Sequence, residues 1–267
     1  MDQTIQWRDV VWQDGLLARI YEPPAAARDR PRMAGVVDVH GGAWASRDRT
    51  LGHRYNKVVA AAGHLVVAID FRDGRQAHHP AASDDIAAAV QWLRGRADEL
   101  GIDAERIALT GSSSGGHLAL HAALTRIEVC FVGAFWPPVD PLARYRYARR
   151  SMSEPVPEGR PFDPANLVRA TEAYFQVVDT MADASIARLV QEGRTRYLPP
   201  VWLAQAGADL NVPRPMIDEL VDAYRNAGGA LERTEYVGEE HGFGHGDHEG
   251  ARRFQRDLVD RLAVAVA

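Results

Sequence analysis

From residue 34 to residue 238 the chain keeps returning to short apolar, β-rich runs, most of them separated by longer stretches with helical spacing. The runs are AGVVDVH (34–40), HLVVAID (64–70), RIALTG (106–111), VCFVGAF (129–135), PVWLAQAG (200–207) and LERTEYVG (231–238). Strands that alternate with helices pair in parallel, and a parallel sheet must be covered on both faces. The alternation therefore predicts an α/β fold: a mostly parallel central sheet with helices on both faces. Helices are expected over 53–62, 83–100, 114–124, 214–227 and 248–265. The second opens SDDIAAAVQWL, which reads as a capping Ser83, acidic residues in the first turn, and an apolar stripe of Ile86, Val90 and Leu93. Ahead of the alternation, two segments, Ile5 to Trp12 and Leu16 to Tyr21, flank Asp14-Gly15 and predict an antiparallel hairpin. An Ala/Pro/Arg-rich linker follows, from Pro23 to Pro31.

One block breaks the rhythm. Residues 137–200 begin with arginine- and proline-rich sequence and turn helical around Ala170 to Val190. Long insertions in α/β domains commonly form lids or binding walls, so this block is expected to be a small cap on a single domain spanning 1–267. With 267 residues, 46% of them hydrophobic, the chain can bury one large core. A net charge of −5 provides no strong field for nucleic acid or an anionic membrane surface, which leaves a small molecule as the expected partner. Cys130 is the single cysteine and sits in an apolar run, so it reads as a structural thiol in a reducing, cytoplasmic setting. The start MDQTIQWRDVVWQDG lacks the pattern of a signal peptide, and no apolar run approaches the length of about 18 residues that a membrane span needs.

Ligands of open α/β sheets bind beyond the carboxyl ends of the strands, and the unusual residues of this chain collect there. LTGSSSGGHLAL (109–120) contains three consecutive serines. A nucleophile held in an abrupt strand-to-helix turn needs small residues two before and two after it. Ser113 meets that with Gly111 and Gly115; Ser112, between Thr110 and Ser114, and Ser114, between Ser112 and Gly116, are poorer fits. Ser114 would then offer its backbone N–H at a helix start, where anions are favoured. DVHGGAW (38–44) puts Gly41 and Gly42 just after an earlier strand, as candidate amide donors to a substrate oxygen.

A serine hydroxyl needs a base, and the base needs an orienting carboxylate. His241 follows the last strand, with His245 and His248 as rivals; Asp209 follows the strand before it, with Asp70, Asp218 and Glu239 as rivals. His40 reads as a structural residue. His117 and His121 share a helical face, but the glutamate of a zinc-protease motif is missing, so no metal is expected. Trp44, Trp136 and Phe243, with Phe135 and Tyr145, are candidates for an apolar substrate pocket. Arg144, Arg146, Arg149 and Arg150 read as a solvated cap face.

Together HGGAW, GSSSGG, GADLNVP and EEHGFG resemble the α/β-hydrolase superfamily, in the order Ser113, Asp209, His241. More narrowly the chain resembles small esterases: the hormone-sensitive-lipase-like carboxylesterases and the feruloyl esterase, acetyl-xylan esterase and kynurenine formamidase-like group. The resemblance implies Ser113 as nucleophile, His241 as base, Asp209 as its partner, and the amides of Gly41, Gly42 and Ser114 as an oxyanion hole. It further implies ester hydrolysis through an acyl-enzyme without any cofactor, and a homodimer as a form common among the relatives. Two departures lean toward the feruloyl-esterase and formamidase-like group: Ala43 stands where the lipase-like motif has a third glycine, and Ser112 where that family often has aspartate. The same machinery would also cleave an amide or formamide. An α/β-hydrolase fold that has become a silent ligand receptor usually loses its base or nucleophile, whereas all three residue types are present here.

Overall fold

The computed structural model describes residues 5–25, 33–153 and 162–266. Most of the Pro23 to Pro31 linker, the start of the chain and the middle of the arginine- and proline-rich stretch lie outside the described residues. Strands β1 (Gln6–Gln13) and β2 (Leu16–Glu22) form the expected hairpin, and β2 continues antiparallel onto β4 (Leu65–Ile69). The turn has Asp14 at φ 35° and Gly15 at φ 83°, the left-handed pair that lets a two-residue turn match strand twist. From β4 onward all pairings are parallel: β3 (Met33–Val39), β5 (Ile102–Ser112), β6 (Phe131–Phe135), β7 (Val201–Ala206) and β8 (Leu231–Tyr236) complete an eight-stranded sheet ordered β1-β2-β4-β3-β5-β6-β7-β8.

Strand residues alternate between two apolar layers, as the pleat requires. Val37, Val39, Val67, Ile69 and Leu203 enter one layer with helices α2 (Ala81–Arg94), α4 (Ser114–Thr125) and α9 (Arg214–Asn226). Short α3 (Ala97–Leu100) leads into β5. Val36, Val66, Ala68, Trp202 and Ala204 face the other layer with α1 (His53–Ala61) and α10 (Glu249–Ala265), where Phe254 packs flat on Trp202. Helices thus cover both faces. Among the described residues no helix is long and apolar enough to cross a membrane.

One helix start differs from the sequence reading. The second helix begins at Ala81, after Pro80, so Ser83 is inside it rather than at its cap. Ser83 is fully buried, and its Oγ bonds His121 Nδ1 at 2.9 Å, a tertiary contact that the local pattern does not encode.

Within 137–200, the described residues form α5 (Pro141–Ser151), α6 (Pro164–Phe175), α7 (Val178–Asp183) and α8 (Ile186–Gln191). Asp140 and Asp163 cap α5 and α6 through bonds from Ala143 N (2.8 Å) and Ala165 N (2.9 Å), each followed by a proline that needs no N–H partner. Ile186, Leu189 and Val190 of α8 are buried in the α9 layer, so this end of the block belongs to the core.

Candidate active site

The strand order reverses at β3: the chain moves from it to β4 on one side and to β5 on the other. The carboxyl ends of β3 and β5 therefore open a crevice, the general ligand position of such sheets. The Gly41-Gly42 loop leaves one end and Ser113 leaves the other.

Ser113 sits between β5 and α4 at φ 51°, ψ −126°, a strained conformation for a residue with a Cβ. The close approach that allows it is visible at Gly115, where any Cβ would run into the backbone carbonyls of Val39 and His40. β3 and the turn are packed backbone against backbone, so only glycine fits. Gly42 is at φ 125°, where a side chain would strike the Ser46 carbonyl. Ala43, the position of the missing third glycine, is itself left-handed at φ 53°.

His241 comes from the loop after β8. Its Nε2 is 2.9 Å from Ser113 Oγ and its Nδ1 is 2.8 Å from Asp209 Oδ2. Asp209 follows β7, and its other oxygen accepts from the backbone N–H groups of Asn211 (2.7 Å) and Val212 (2.9 Å). A carboxylate only accepts, so it keeps the imidazole proton on Nδ1 and leaves the Nε2 lone pair for the serine hydroxyl. The side chains of His241 and Asp209 are 13% and 5% exposed, which shields this relay from competing water.

The other candidates are engaged elsewhere. His248 bonds Glu239 (2.7 Å), Asp218 pairs with Arg233, and Asp70 receives Arg49. His245 lies in the cavity wall, and burial pushes its imidazole down to about 4. The His40 ring donates to the Gly41 carbonyl (2.7 Å) and stacks on Phe71. His117 accepts from Trp44 Nε1–H at 3.2 Å through Nδ1 and donates through Nε2 to the Ala184 carbonyl at 2.9 Å. Both of its nitrogens are committed to holding the β3 loop against the insertion.

A cavity of about 680 Å³ opens over Ser113, lined by Gly41, Gly42, Trp136, His241 and His245 and, from the insertion, by Phe162, Asn166, Leu167, Ala170 and Arg144. Trp136 is in the wall. Trp44, Phe243, Phe135 and Tyr145 are not, so four of the five expected pocket residues need correction. Trp44 is 2% exposed, turned inward to bond His117 and pack on Phe175. Phe243 is 6% exposed and packs on Trp136, Tyr236 and Phe254 beneath the cavity. Phe135 is fully buried between sheet and α10, and Tyr145 donates to Glu172 at 2.6 Å within the insertion.

Arg144 departs furthest from the sequence reading: it is 1% exposed and in the cavity wall, not on a solvated face. Helical spacing puts Arg144 on one stripe with Tyr145 and Ala148, without saying what that stripe meets. The buried positions of α5 are Pro141, Arg144, Tyr145, Ala148 and Ser151, the spacing of one helical stripe.

The family model described as an alpha/beta hydrolase fold matches residues 36–245. The chain belongs to the alpha/beta hydrolase fold family. Its relatives within that fold include the ethyl acetate hydrolase of Pseudomonas putida, 40% identical over 108 residues, 39% of this chain and 33% of that protein. The carboxylesterase NlhH of Mycobacterium tuberculosis is 36% identical over 126 residues, 43% of this chain and 37% of the relative. The matches thus span about a third of each relative's length. Among solved structures, carboxyl esterase 2 of the fungus Tuber melanosporum superposes with a TM-score of 0.80 at 18% identity, covering 99% of this chain and 88% of that one. At that identity the likeness speaks for the alpha/beta hydrolase fold alone.

Proposed function

We propose that this alpha/beta hydrolase is a serine carboxylesterase acting on small esters through an acyl-enzyme. The observation that carries the reading is the continuous hydrogen-bond relay from Ser113 through His241 to Asp209, seated at a strained turn and opening onto a cavity. Ser113 Oγ attacks the ester carbonyl carbon while its proton passes to His241 Nε2, and Asp209 stabilises the imidazolium. The carbonyl oxygen, now an anion, is held by the N–H groups of Gly41, Gly42 and Ser114, each worth about 3–4 kcal/mol of barrier in comparable sites. Ser114 opens α4, so its N–H has no partner within the helix. The tetrahedral intermediate collapses, His241 protonates the departing alcohol, and water attacks the acyl-serine with the same histidine as base. The described residues of the 137–200 insertion serve as part of the pocket wall of one catalytic domain. No step calls for a cofactor. That similar proteins are an ethyl acetate hydrolase and a carboxylesterase supports a small-ester substrate.

The test is hydrolysis of p-nitrophenyl acetate, butyrate, octanoate and a feruloyl ester by the wild type and by Ser112→Ala, Ser113→Ala and Ser114→Ala, with labelling by a fluorophosphonate. Activity and labelling are expected to vanish only in Ser113→Ala. Equal turnover by all four proteins would refute the assignment, and a wild type that neither labels nor turns over would point to a silent binding protein.

A further inference from the structure

Arg144 sits in the wall of the cavity with its charge incompletely matched. Its Nε and Nη2 donate to Asn211 Oδ1 at 3.0 and 2.7 Å, and its guanidinium carbon lies 5.3 Å from the centre of the Trp44 ring. Nη1 is buried and has no hydrogen-bond partner. An amide oxygen is neutral, so none of the bonds to this cation comes from an anion. The carboxylate whose field it feels, Asp209, is already taken by His241 and two backbone amides. Burial pushes the guanidinium down to about 10, so it remains charged at neutral pH. A buried cationic donor left unpaired is costly, and a fold that keeps one beside its reaction cavity has a place for an anionic acceptor.

Two further observations point the same way. Trp136, also in the wall, has a buried Nε1 without a partner, and its backbone is held at φ 40°, a conformation that an aromatic residue rarely adopts. Arg47 and Arg169, both exposed, line the same cavity, where Asp163 is the one acidic lining residue among those described. The wall therefore offers donors and positive charge. A planar guanidinium edge matches a carboxylate better than any neutral acceptor.

We propose that the ester cleaved here carries a free carboxylate, which pairs with the guanidinium of Arg144 while Ser113 attacks the ester group. This rests on the carboxylesterase reading above. The carboxylate sits either on the acyl part, as in a monoester of a dicarboxylic acid, or on the alcohol part, as in an acylated hydroxy acid.

Two matched pairs distinguish the sources: monoethyl glutarate against ethyl valerate for the acyl side, and 4-acetoxybutyrate against butyl acetate for the alcohol side. kcat/KM is measured for each with the wild type, Arg144→Met, Arg144→Lys and Ser113→Ala. In one pair the wild type is expected to favour the charged ester by about ten-fold or more, the worth of a charge-assisted hydrogen bond. Arg144→Met should bring that ratio to about one or below, with Arg144→Lys in between. The ratio is the decisive readout, because an arginine that only steadied Asn211 and the Asp209 loop would lower both members of a pair equally. Should Arg144→Met fail to fold, the wild-type ratios decide, together with competitive inhibition of p-nitrophenyl acetate hydrolysis by glutarate but not by 1-pentanol. Neutral esters turned over in a Ser113-dependent way, with neither charged ester preferred, would overturn the carboxylate proposal and leave the esterase reading standing. No turnover of any ester, p-nitrophenyl acetate included, would overturn both.

Discussion

Replacing Asp209 by asparagine is expected to spare the fold and abolish most of the activity, because of which oxygen the loop holds. Oδ1 accepts from the N–H groups of Asn211 and Val212, and Oδ2 accepts from His241. An asparagine turned with its NH2 toward those amides would set donor against donor, so its carbonyl oxygen must take the Oδ1 place and its NH2 must face the imidazole. Nδ1 then becomes the acceptor, the ring proton moves to Nε2, and Nε2–H points at Ser113 Oγ. The base is lost although every heavy atom keeps its position. A tautomer error of this kind costs about 10⁴ in kcat, or about 5.5 kcal/mol of barrier. Stability should fall by only about 1 kcal/mol, since both backbone bonds survive. Asp209→Ala works differently: it leaves the amides of buried Asn211 and Val212 without an acceptor, at about 1–3 kcal/mol each. Initial rates on p-nitrophenyl acetate and urea unfolding of the three proteins separate the two effects. Retention of more than about a tenth of kcat by Asp209→Asn would refute the tautomer argument. Equal destabilisation by the two variants would refute the role given to Oδ1.

Gly115→Ala places a methyl group on the Val39 and His40 carbonyls, and since neither is a side chain that can swing away, urea unfolding should show a loss of about 3 kcal/mol; an unchanged midpoint would rule out the close approach. Trp44→Phe keeps the ring but deprives buried His117 of its donor, so a loss of about 1–3 kcal/mol is expected with the acyl-chain preference unaltered, and a shifted preference would put Trp44 back in the pocket. Burial pushes the Asp38 carboxyl up from 3.8 to about 6, against the opposing bonds from Asn56, Thr110 and Tyr55. The folded state therefore holds this proton more tightly than the unfolded one. Its contribution is greatest below about pH 4 and is lost as pH rises through about 6, by about 3 kcal/mol in all. Urea stability of the wild type relative to Asp38→Asn should accordingly fall between pH 4 and pH 7, and a flat or rising difference would contradict the shift.

The sheet was legible because it is written in local pattern. Each core strand carries apolar residues on both faces, each helix a 3.6-residue stripe, and the Asp14-Gly15 turn a backbone that few other pairs adopt. The candidate relay was legible for a related reason. A strained turn needs glycines at fixed offsets, so GSSSGG singles out Ser113, and strand ends put Asp209 and His241 at the same edge. Residues 113 and 241, however, are 128 positions apart, and only the parallel register of β5 through β8 brings Oγ within 2.9 Å of Nε2.

What the sequence could not specify was the direction of individual side chains once elements packed. Trp44 sits beside the two glycines in sequence, but the left-handed turn at Ala43 and Trp44 and the waiting nitrogen of His117 turn it inward. Ser83 has the composition of a cap and is a core hydrogen bonder, because the helix already starts at Ala81, after Pro80. Arg144 reads as one of four solvated arginines, and it is buried because α5 lays that stripe against the Asp209 loop, where Asn211 receives it. Periodicity says which residues share a face. It does not say what that face meets, and the contents of the cavity wall follow from the meeting.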